Sequence, residues 1–294
     1  MRFLPCSLSS FLVELGTLDD TLALFAALQA APLSGVEEII PAARTLLIHF
    51  DPTLTQCHQL SAAIRQLDGQ MQAQRTGKGA TIPVQYTGDD LAEMAEYLGL
   101  SVEALIQRHT GSLWQVAFCG FAPGFAYLVS REAGIQVPRR ASPRTRIPAG
   151  SVGLAGEFSG IYPHASPGGW QIIGRTTETL FALDRQPPAL LQPGVQVQFV
   201  DVTRAPVCVP VVKPQPLQQS ASGSAVMSVI SPGLQTLFQD AGRAGQSSMG
   251  ISPSGALDQA AWRRGNWLVG NPGYLDALEM TGGWVRRRKE RKEE

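Results

Sequence analysis

Four arginines lie within eight residues of each other in the segment 137–156, which reads VPRRASPRTRIPAGSVGLAG; they are Arg139, Arg140, Arg144 and Arg146. The three prolines of this segment fix φ and lack an N–H donor, so they restrict the loop that carries the guanidinium groups. A guanidinium group binds carboxylate and phosphate oxygens in a planar, charge-assisted arrangement. The segment therefore predicts a loop that binds an anion or contacts another subunit, and solvated arginines paired with acidic residues are the alternative.

The spacing of two of these arginines gives a sharper prediction. In an extended segment residues two apart face the same way, so Arg144 and Arg146 should project together. Because two adjacent guanidinium groups repel each other, we expect a negatively charged ligand between them, or Glu157 or Asp184 as their partner. We also expect at least one arginine of the loop to point into the cleft bounded by residues 162–170.

Aromatic residues alternate with glycine and proline in the segment 118–128, FCGFAPGFAYL. Glycine and proline fix a turn here, and the aromatic rings form either the wall of a ligand pocket or an apolar plug at the end of a barrel. The sequence alone leaves both interpretations open. We expect four aromatic residues to surround one opening: Phe121, Phe125, Tyr127 and Trp170.

A third segment, IYPHASPGGWQIIGRT at 161–176, combines two glycines with a histidine. Gly168 and Gly169 permit close approach of the backbone, and Trp170 offers a flat anchor. His164 is the candidate acid or base because imidazole titrates near neutral pH, with an ordinary surface or hydrogen-bonded histidine as the alternative.

The elements that must position these segments follow from periodicity and turn signals. Residues 1–80 read as a small β-α-β-β-α unit with its helices on one sheet face. Asp89 and Asp90 are expected to cap one helix and Ser101 the next. Short strands separated by Pro/Gly turns then predict a closed or nearly closed β-barrel.

The predicted fold class is α+β and mostly β, in five parts along the chain. They are an N-terminal α+β domain at 1–80, a β-barrel domain at 81–203, a linker at 204–226, an incomplete β segment at 227–283 and a charged tail at 284–294. The linker is rich in Pro, Gln, Ser and Gly, and the tail has no apolar period, so we expect the tail to be disordered.

Composition excludes several function classes. The net charge is zero, which gives no basic footprint for nucleic acid. The cysteines form no CxxC pair and the histidines no HxxxH pair, so no zinc site is expected. No signal peptide or membrane span is evident, and we expect a cytoplasmic protein with reduced thiols.

In this order and spacing, the three segments resemble the signature of the KipI / allophanate hydrolase subunit 1 family, the B-type subunit of 5-oxoprolinase. The resemblance covers about residues 10–203, and the strings GFAPGFAYL, PRRASPRTRIPAGSVGLAG and YPHASPGGWQIIGRT are long and specific. It implies a small α+β domain followed by a cyclophilin-like β-barrel that acts as a carboxyltransferase subdomain. Residues expected to bind substrate or nucleotide are Phe121, Pro123, Gly124, Phe125, Tyr127, Arg140, Arg144, Arg146, Ser151, Tyr162, Ser166, Gly168, Gly169, Trp170, Gln171 and Arg175, with His164 as the candidate catalytic residue.

After the linker, the segment 229–283 resembles the start of the KipA / allophanate hydrolase subunit 2 family, the C-type subunit. The resemblance implies a fusion of B-type and C-type sequence in which the C-type part is cut short, and the pattern changes abruptly after Thr281-Gly282-Gly283. The polar residues shared with that family, which it would place toward a common cleft, are Gln239, Asp240, Arg243, Asp258 and Asn266.

The resemblance implies a subunit of an ATP-dependent 5-oxoprolinase that helps to open 5-oxoproline to glutamate. ATP, with Mg²⁺, would be bound by the complete complex with C-type and A-type partners, and the chain alone should be inactive. The alternatives are a carboxyltransferase module of a urea carboxylase or urea amidolyase system and a KipI-like regulatory binder of a histidine kinase. The sequence contains no GxxxxGK[ST] loop, no GxSxG elbow and no biotin-attachment lysine between methionines, and neither nucleic acid nor membrane is an expected partner.

Overall fold

A computed structural model describes residues 1–67, 79–204 and 227–287. The chain forms two compact units. The first comprises the described residues up to 204 together with Ala244–Ser252, and the second comprises the other described residues from 227 onward. No helix within these described ranges is long and apolar enough to cross a membrane.

The first unit begins with a four-stranded antiparallel sheet that packs against two helices. Its elements are β1 (Arg2–Ser7), β2 (Ser10–Glu14), α1 (Leu18–Ala30), β3 (Val36–Pro41), β4 (Thr45–Phe50) and α2 (Cys57–Gln66), and the strand order is β1-β2-β4-β3. Thr17 and Asp20 form a capping box that starts α1. Alternate residues of β2 and β4 share one core with both helices, for example Phe11, Ile48, Leu24 and Ile64. The observed order is β-β-α-β-β-α, so the predicted β-α-β-β-α order missed the first strand, β1, which pairs with β2.

A seven-stranded barrel follows within the same unit. Its elements are β5 (Gly79–Val84), α3 (Leu91–Tyr97), α4 (Val102–Gly111), β6 (Trp114–Cys119), β7 (Ala126–Val129), β8 (Arg144–Ile147), β9 (Ser151–Ala155), β10 (Phe158–Ile161), β11 (Ser166–Gly168), β12 (Gln171–Arg175) and β13 (Gln196–Asp201). The strand order is β12-β9-β10-β7-β6-β13-β5, while β8 and β11 pair separately. Gln85 and Arg175 exchange two backbone hydrogen bonds of 2.8 and 2.9 Å, which join the two end strands. The predicted barrel is confirmed, and its closure removes the exposed strand edges.

The barrel core contains a fully buried imidazole, the His109 side chain near the end of α4. Its Nδ1 hydrogen-bonds with the Tyr86 hydroxyl at 2.7 Å and its Nε2 with the Ser159 hydroxyl at 2.9 Å. Its ring stacks on Phe199 with a centroid distance of 4.2 Å. Burial lowers the pKa of His109 to about 3, so the imidazole is neutral at physiological pH.

The second unit contains two separate two-stranded sheets and a helix. Its elements are β14 (Met227–Ser231), β15 (Gln235–Gln239), α5 (Gln259–Leu268), β16 (Ala277–Thr281) and β17 (Trp284–Arg287), with β14 paired to β17 and β15 to β16. The prediction of a disordered tail from 284 onward was wrong for β17, because the unpaired backbone groups of β14 give this segment a partner. Residues 205–226 of the predicted linker and 288–294 of the predicted tail lie outside the described residues.

Candidate functional site

The Asp90 carboxylate is the centre of a cluster of charge-assisted hydrogen bonds. Its Oδ1 accepts from Arg140 Nη1 at 2.6 Å and from Arg144 Nη2 at 2.8 Å. Its Oδ2 accepts from Arg144 Nη1 at 2.8 Å and from the backbone N–H of Ile172 at 2.6 Å. One carboxylate therefore holds two guanidinium groups and fastens both to β12.

Close backbone packing brings Asp90 to β12. Gly88 lies so near residues 172–174 that a Cβ at this position would overlap their backbone atoms. Asp90 N–H donates to the Ile172 carbonyl at 3.0 Å. The sequence predicted a helix cap at this position, but Asp90 makes no side-chain capping bond to α3, because its oxygens accept from the arginines and from Ile172 instead.

Two local contacts fix the arginines opposite Asp90. Arg144 begins β8 and pairs with Gly168 of β11. Arg140 N–H donates to the Gly169 carbonyl at 2.8 Å, which ties the arginine loop to the glycine pair of the third sequence motif. The arginine loop and the glycine pair of the third motif are therefore parts of one site.

This cluster keeps its central carboxylate ionised. Burial alone would raise the pKa of Asp90, but the hydrogen bonds from Arg144 and Ile172 and the charges of Arg144 and Arg140 outweigh it, so the pKa lies below its ordinary value. Asp90 is thus ionised, and with two guanidinium groups the trio carries one net positive charge. The Asp90 side chain is 3% exposed, whereas Arg140 is 31% and Arg144 23% exposed, so solvent or a ligand can reach the arginines.

The expected acidic partners of the loop were wrong. Neither Glu157 nor Asp184 but Asp90 pairs with the arginines, with Asp89 a further 3.7 Å from Arg144. Asp90 precedes the arginines by 50 and 54 residues, and its position next to a helix start suggested capping instead. Arg146 is exposed and does not join Arg144 on this carboxylate.

The aromatic residues that were expected to surround one opening form one cluster of rings. Phe125 is at its centre, with ring centroids 5.3 Å from Phe121, 5.1 Å from Tyr127, 5.3 Å from Tyr162 and 5.3 Å from Trp170. Phe121 is 60% exposed and has φ of 69°, while the other members are mostly buried. The cluster is thus an apolar plug of the barrel with one ring, Phe121, at the surface.

Tyr162 connects this cluster to the arginine site. Gly168 lies against it so closely that a Cβ there would overlap the tyrosine hydroxyl oxygen. Burial raises the pKa of Tyr162 to about 12, so the group remains a neutral phenol at physiological pH. It can donate a hydrogen bond but does not serve as a base.

A cavity of about 600 Å³ lies beside the arginine loop. It is lined by Glu93, Met94, Glu96, Tyr97, Pro138, Arg139, Arg140, Ala141, Ser142 and Gln171. Gln171 is 4% exposed, and its Nε2 donates to the Pro138 carbonyl at 3.0 Å. Two buried atoms at this wall have no hydrogen-bond partner, Gln171 Oε1 and Arg140 Nε. Buried polar atoms normally have a partner, so this unpaired donor and acceptor are unusual features of the cavity wall.

Several other predicted residues lie outside this arrangement. His164 is exposed, and its carbonyl accepts from Ser166 Oγ at 3.1 Å. Ser151 is buried in β9, where its carbonyl accepts from Tyr162 N–H at 2.9 Å. Arg175 is exposed and contributes to the barrel through its backbone bonds to Gln85. Pro123 and Gly124 belong to the turn between β6 and β7.

Residues 1–191 match the family model described as carboxyltransferase domain, subdomain C and D. The chain belongs to this family. Residues 249–292 match a second model, carboxyltransferase domain, subdomain A and B. The two matches agree with the B-type and C-type resemblances found in the sequence.

Relatives of this carboxyltransferase-domain chain include the B-type 5-oxoprolinase subunit of Haemophilus influenzae, 40% identical over 156 residues, which are 52% of this chain and 70% of the relative. The B-type 5-oxoprolinase subunit of Bacillus subtilis is 47% identical over 125 residues, 42% of this chain and 52% of the relative. The C-type 5-oxoprolinase subunit of Escherichia coli is 47% identical over 58 residues, 20% of this chain and 19% of the relative. The chain thus spans little more than half of the Bacillus relative.

Solved structures extend the comparison to the fold. TTHA0988 is 34% identical with a TM-score of 0.73, over 96% of this chain and 57% of that one. The K. lactis urea amidolyase has a TM-score of 0.54 at 20% identity, over 69% of this chain and 16% of that one, which shows a shared fold alone.

The polar residues of the carboxyltransferase chain's C-type segment make local hydrogen bonds. Asp240 Oδ1 accepts from Gly242 N–H at 2.7 Å, and Asp258 Oδ1 accepts from Ala261 N–H at 2.8 Å and so caps α5. Asn266 is buried and its Nδ2 donates to the Leu275 carbonyl at 2.8 Å. Gln239 pairs with Ala277 in the β15–β16 ladder, and the exposed Arg243 donates its backbone N–H to the Pro253 carbonyl at 2.7 Å. Their predicted role at a common cleft stays a prediction.

Proposed function

We propose that this chain acts as the B-type component of an ATP-dependent 5-oxoprolinase. The overall reaction converts 5-oxoproline, ATP and water to glutamate, ADP and phosphate. The observation that carries the proposal is the 40% identity to the B-type 5-oxoprolinase subunit of Haemophilus influenzae across 70% of that relative. The site beside Asp90 supplies chemistry that suits the reaction, since 5-oxoproline and the phosphoryl group are both anionic.

The arginine pair is the proposed anion site. Arg140 and Arg144 together exceed the charge of Asp90 by one unit, and both are partly exposed. They can hold the substrate carboxylate or phosphoryl oxygens in charge-assisted hydrogen bonds. Asp90 positions them, because its two oxygens fix three of their nitrogen atoms. Gln171 Oε1 lies on the same cavity wall as an acceptor for an N–H such as that of a lactam.

Neither atom without a partner has accessible surface, so a ligand reaches Arg140 Nε or Gln171 Oε1 only if the loop 138–143 shifts. The accessible part of the Arg140 and Arg144 guanidinium groups needs no such movement. We therefore place the carboxylate or phosphate on the arginines, with the lactam directed toward Gln171.

ATP, when bound, would supply a phosphoryl group to the lactam carbonyl oxygen, which would open the carbonyl carbon to attack by water. Arg140 and Arg144 have the charge and the partial exposure that suit a phosphoryl group. No three His, Cys, Asp or Glu side chains among the described residues are placed to hold a metal ion, so we assign no Mg²⁺ ligand to them. The role proposed for this chain is anion binding within an assembly that includes C-type and A-type partners.

Co-expression tests this proposal. The chain should support ATP- and 5-oxoproline-dependent release of glutamate when it replaces the native B-type subunit alongside A-type and C-type subunits, and should give no turnover alone. Urea in place of 5-oxoproline serves as the control substrate. Turnover by the purified chain alone, or urea-dependent ATP hydrolysis without glutamate release, would contradict the proposal.

A further inference from the structure

A short piece of the C-type segment folds with the B-type part of the chain. Residues Ala244–Ser252 belong to the first compact unit, although they follow β15 in sequence. The 3-10 helix Ser247–Met249 lies within this piece and lines, with β3 and Cys119, a cavity of about 400 Å³. We refer to Gln246–Ile251 as the docking segment.

The docking segment completes the hydrogen bonding of the signature turn at 120–125. Within that turn Gly120 N–H donates to the Phe125 carbonyl at 3.2 Å and Phe125 N–H donates to the Ala122 carbonyl at 2.9 Å. Gly124 N–H donates outside the turn, to the Met249 carbonyl at 2.8 Å. Gly124 is buried, and a buried backbone donor needs a partner, so the turn of the B-type part is satisfied by a C-type carbonyl.

Gly250 allows this approach. Its φ is +75°, and a Cβ at this position would lie 2.5 Å from the Ala122 carbonyl oxygen and 3.3 Å from Gly120 N. Its own N–H donates to the Ser247 carbonyl at 2.9 Å and ends the 3-10 helix. Glycine is therefore required here for two reasons, the left-handed backbone and the contact with the turn.

A side chain of the N-terminal sheet provides a second anchor. Glu38 of β3 accepts from Ser247 N–H through Oε1 at 3.3 Å. This carboxylate accepts from the first backbone N–H of the 3-10 helix, which has no partner within the helix. The docking segment is thus held at both of its ends, by Glu38 and by the 120–125 turn.

We propose that the turn Gly120–Phe125 and Glu38 form the surface by which a B-type chain recognises the docking segment of a C-type chain, including one on a separate polypeptide. Gly124 lies in the region matched as subdomain C and D, and Met249 begins the region matched as subdomain A and B. The inference rests on the B-type and C-type partnership of the proposed function, and it names the contact. Its test measures docking, so its failure leaves the proposed reaction standing.

Hydrogen exchange in the full chain tests the contact with a matched pair of variants. Gly250 and Gly245 have φ of +75° and +76°, but a Cβ at Gly245 has nothing within 4 Å. Both Gly250→Ala and Gly245→Ala introduce the same backbone strain, and Gly250→Ala alone pushes the segment off the turn. We expect exchange at the Gly124 amide to accelerate about tenfold or more in Gly250→Ala, the scale of one lost hydrogen bond, and to stay unchanged in Gly245→Ala. Equal exchange in the two variants would overturn the proposal.

Association after cleavage extends the test to separate polypeptides. A protease site inserted between residues 210 and 220 is cut in the folded protein, and the two pieces are followed by size-exclusion chromatography. We expect the two pieces of the unsubstituted chain to co-elute at micromolar concentration. The pieces should separate in Glu38→Ala and in Gly250→Ala. Glu37→Ala is the control, because Glu37 lies beside Glu38 on β3, and its pieces should still co-elute. Separation of the unsubstituted pieces, or co-elution of all variants, would show that this surface does not recognise the segment. Glu38→Ala removes only a partly exposed side chain and keeps the test valid if Gly250→Ala misfolds.

Discussion

At the scale of single residues, the Asp90 carboxylate determines how much positive charge the arginine loop presents. It is almost fully buried and accepts four hydrogen bonds, three of them from guanidinium nitrogens. A carboxylate in this position stabilises the folded state and prevents mutual repulsion of Arg140 and Arg144. Part of each guanidinium group stays accessible, since the Arg140 side chain is 31% and the Arg144 side chain 23% exposed.

Asp90→Asn should destabilise the chain by about 3 kcal/mol, since removing one partner leaves the buried ends of two charges uncompensated. The folded pKa of Asp90 is lowered, so its contribution is fully present above the unfolded pKa and is lost as pH falls through the folded pKa. The variant should therefore lose stability at neutral pH and show less further loss on acidification. Denaturant titrations at pH 7 and at pH values below about 4 measure both effects.

Asp89→Asn is the control for this prediction. Asp89 lies 3.7 Å from Arg144 with a side chain that is 86% exposed, and an exposed pair contributes little. If Asp89→Asn cost as much stability as Asp90→Asn, a general loss of negative charge rather than the buried carboxylate would be responsible.

The arginines differ in what they should do in the assembled enzyme. Arg144 makes two bonds to Asp90, whereas Arg146 is exposed. Arg144→Lys keeps the positive charge but replaces the planar guanidinium group, which can make two parallel hydrogen bonds, with an ammonium group. We therefore expect KM for 5-oxoproline or ATP to rise about tenfold. Arg146→Lys should leave KM unchanged. Kinetics with A-type and C-type subunits present measure both variants, and equal effects would mean that the loop acts only through its overall charge.

At the scale of elements, glycines decide how closely β11 and β12 approach their neighbours. Gly168→Ala should destabilise the chain by about 2 kcal/mol because its Cβ overlaps the buried Tyr162 hydroxyl. Gly169→Ala, the adjacent control, meets its nearest atoms at 3.7 to 3.9 Å and should be close to neutral. Thermal unfolding of the two variants measures the difference, and similar melting temperatures would contradict the crowding seen at Gly168.

His109 links α4 to the strands of the barrel and makes them sensitive to acid. Its pKa is about 3 in the folded chain against 6.5 for the free side chain, so between these values the unfolded state binds a proton that the folded state does not. Stability should then fall as pH decreases from about 6.5 toward 3, by about 1.4 kcal/mol per pH unit from this group. His109→Gln should remove that slope at the cost of a weaker core. Urea titrations between pH 7 and 4 separate the two effects, and an unchanged slope would assign the acid sensitivity to carboxylates.

The elements that sequence could predict are those with strong local signals. Regular Pro/Gly turns between short strands predicted the barrel. The aromatic pattern of 118–128 predicted that these rings lie together. β1 was missed because RFLPCS has neither clean alternation nor a turn before it, and its partner β2 decides its conformation. The Asp90 pairing was missed for a related reason: it joins residues 50 and more positions apart, and Asp90 next to α3 carries the same local signal as a helix cap.

At the scale of the whole molecule, the two units differ in how much apolar surface they bury. The first contains three clusters of buried residues, in the N-terminal sheet, in the barrel and around Phe125. In the described part of the second unit, Trp262 is the buried large hydrophobic residue, and its Nε1 donates to the Leu275 carbonyl at 3.0 Å. Exposed apolar side chains are common there, among them Leu234, Leu257 and Trp267. Since burial of apolar surface is the main stabilising term, the second unit should be the less stable one.

We therefore expect local unfolding of the second unit well before that of the barrel. Amide hydrogens of α5 should exchange at least about a hundredfold faster than those of β9 and β10, because opening α5 exposes little more than Trp262 whereas opening the barrel exposes its whole core. Trp262→Ala should accelerate exchange in α5 further and leave β9 and β10 unchanged, since the side chain contacts Leu275 in its own unit. Trp267→Ala is the matched control on the same helix, and it should alter neither, because that side chain is 76% exposed. Native-state hydrogen exchange at increasing denaturant measures these rates, and a common opening free energy for α5 and the barrel strands would show instead that the chain unfolds as one cooperative body.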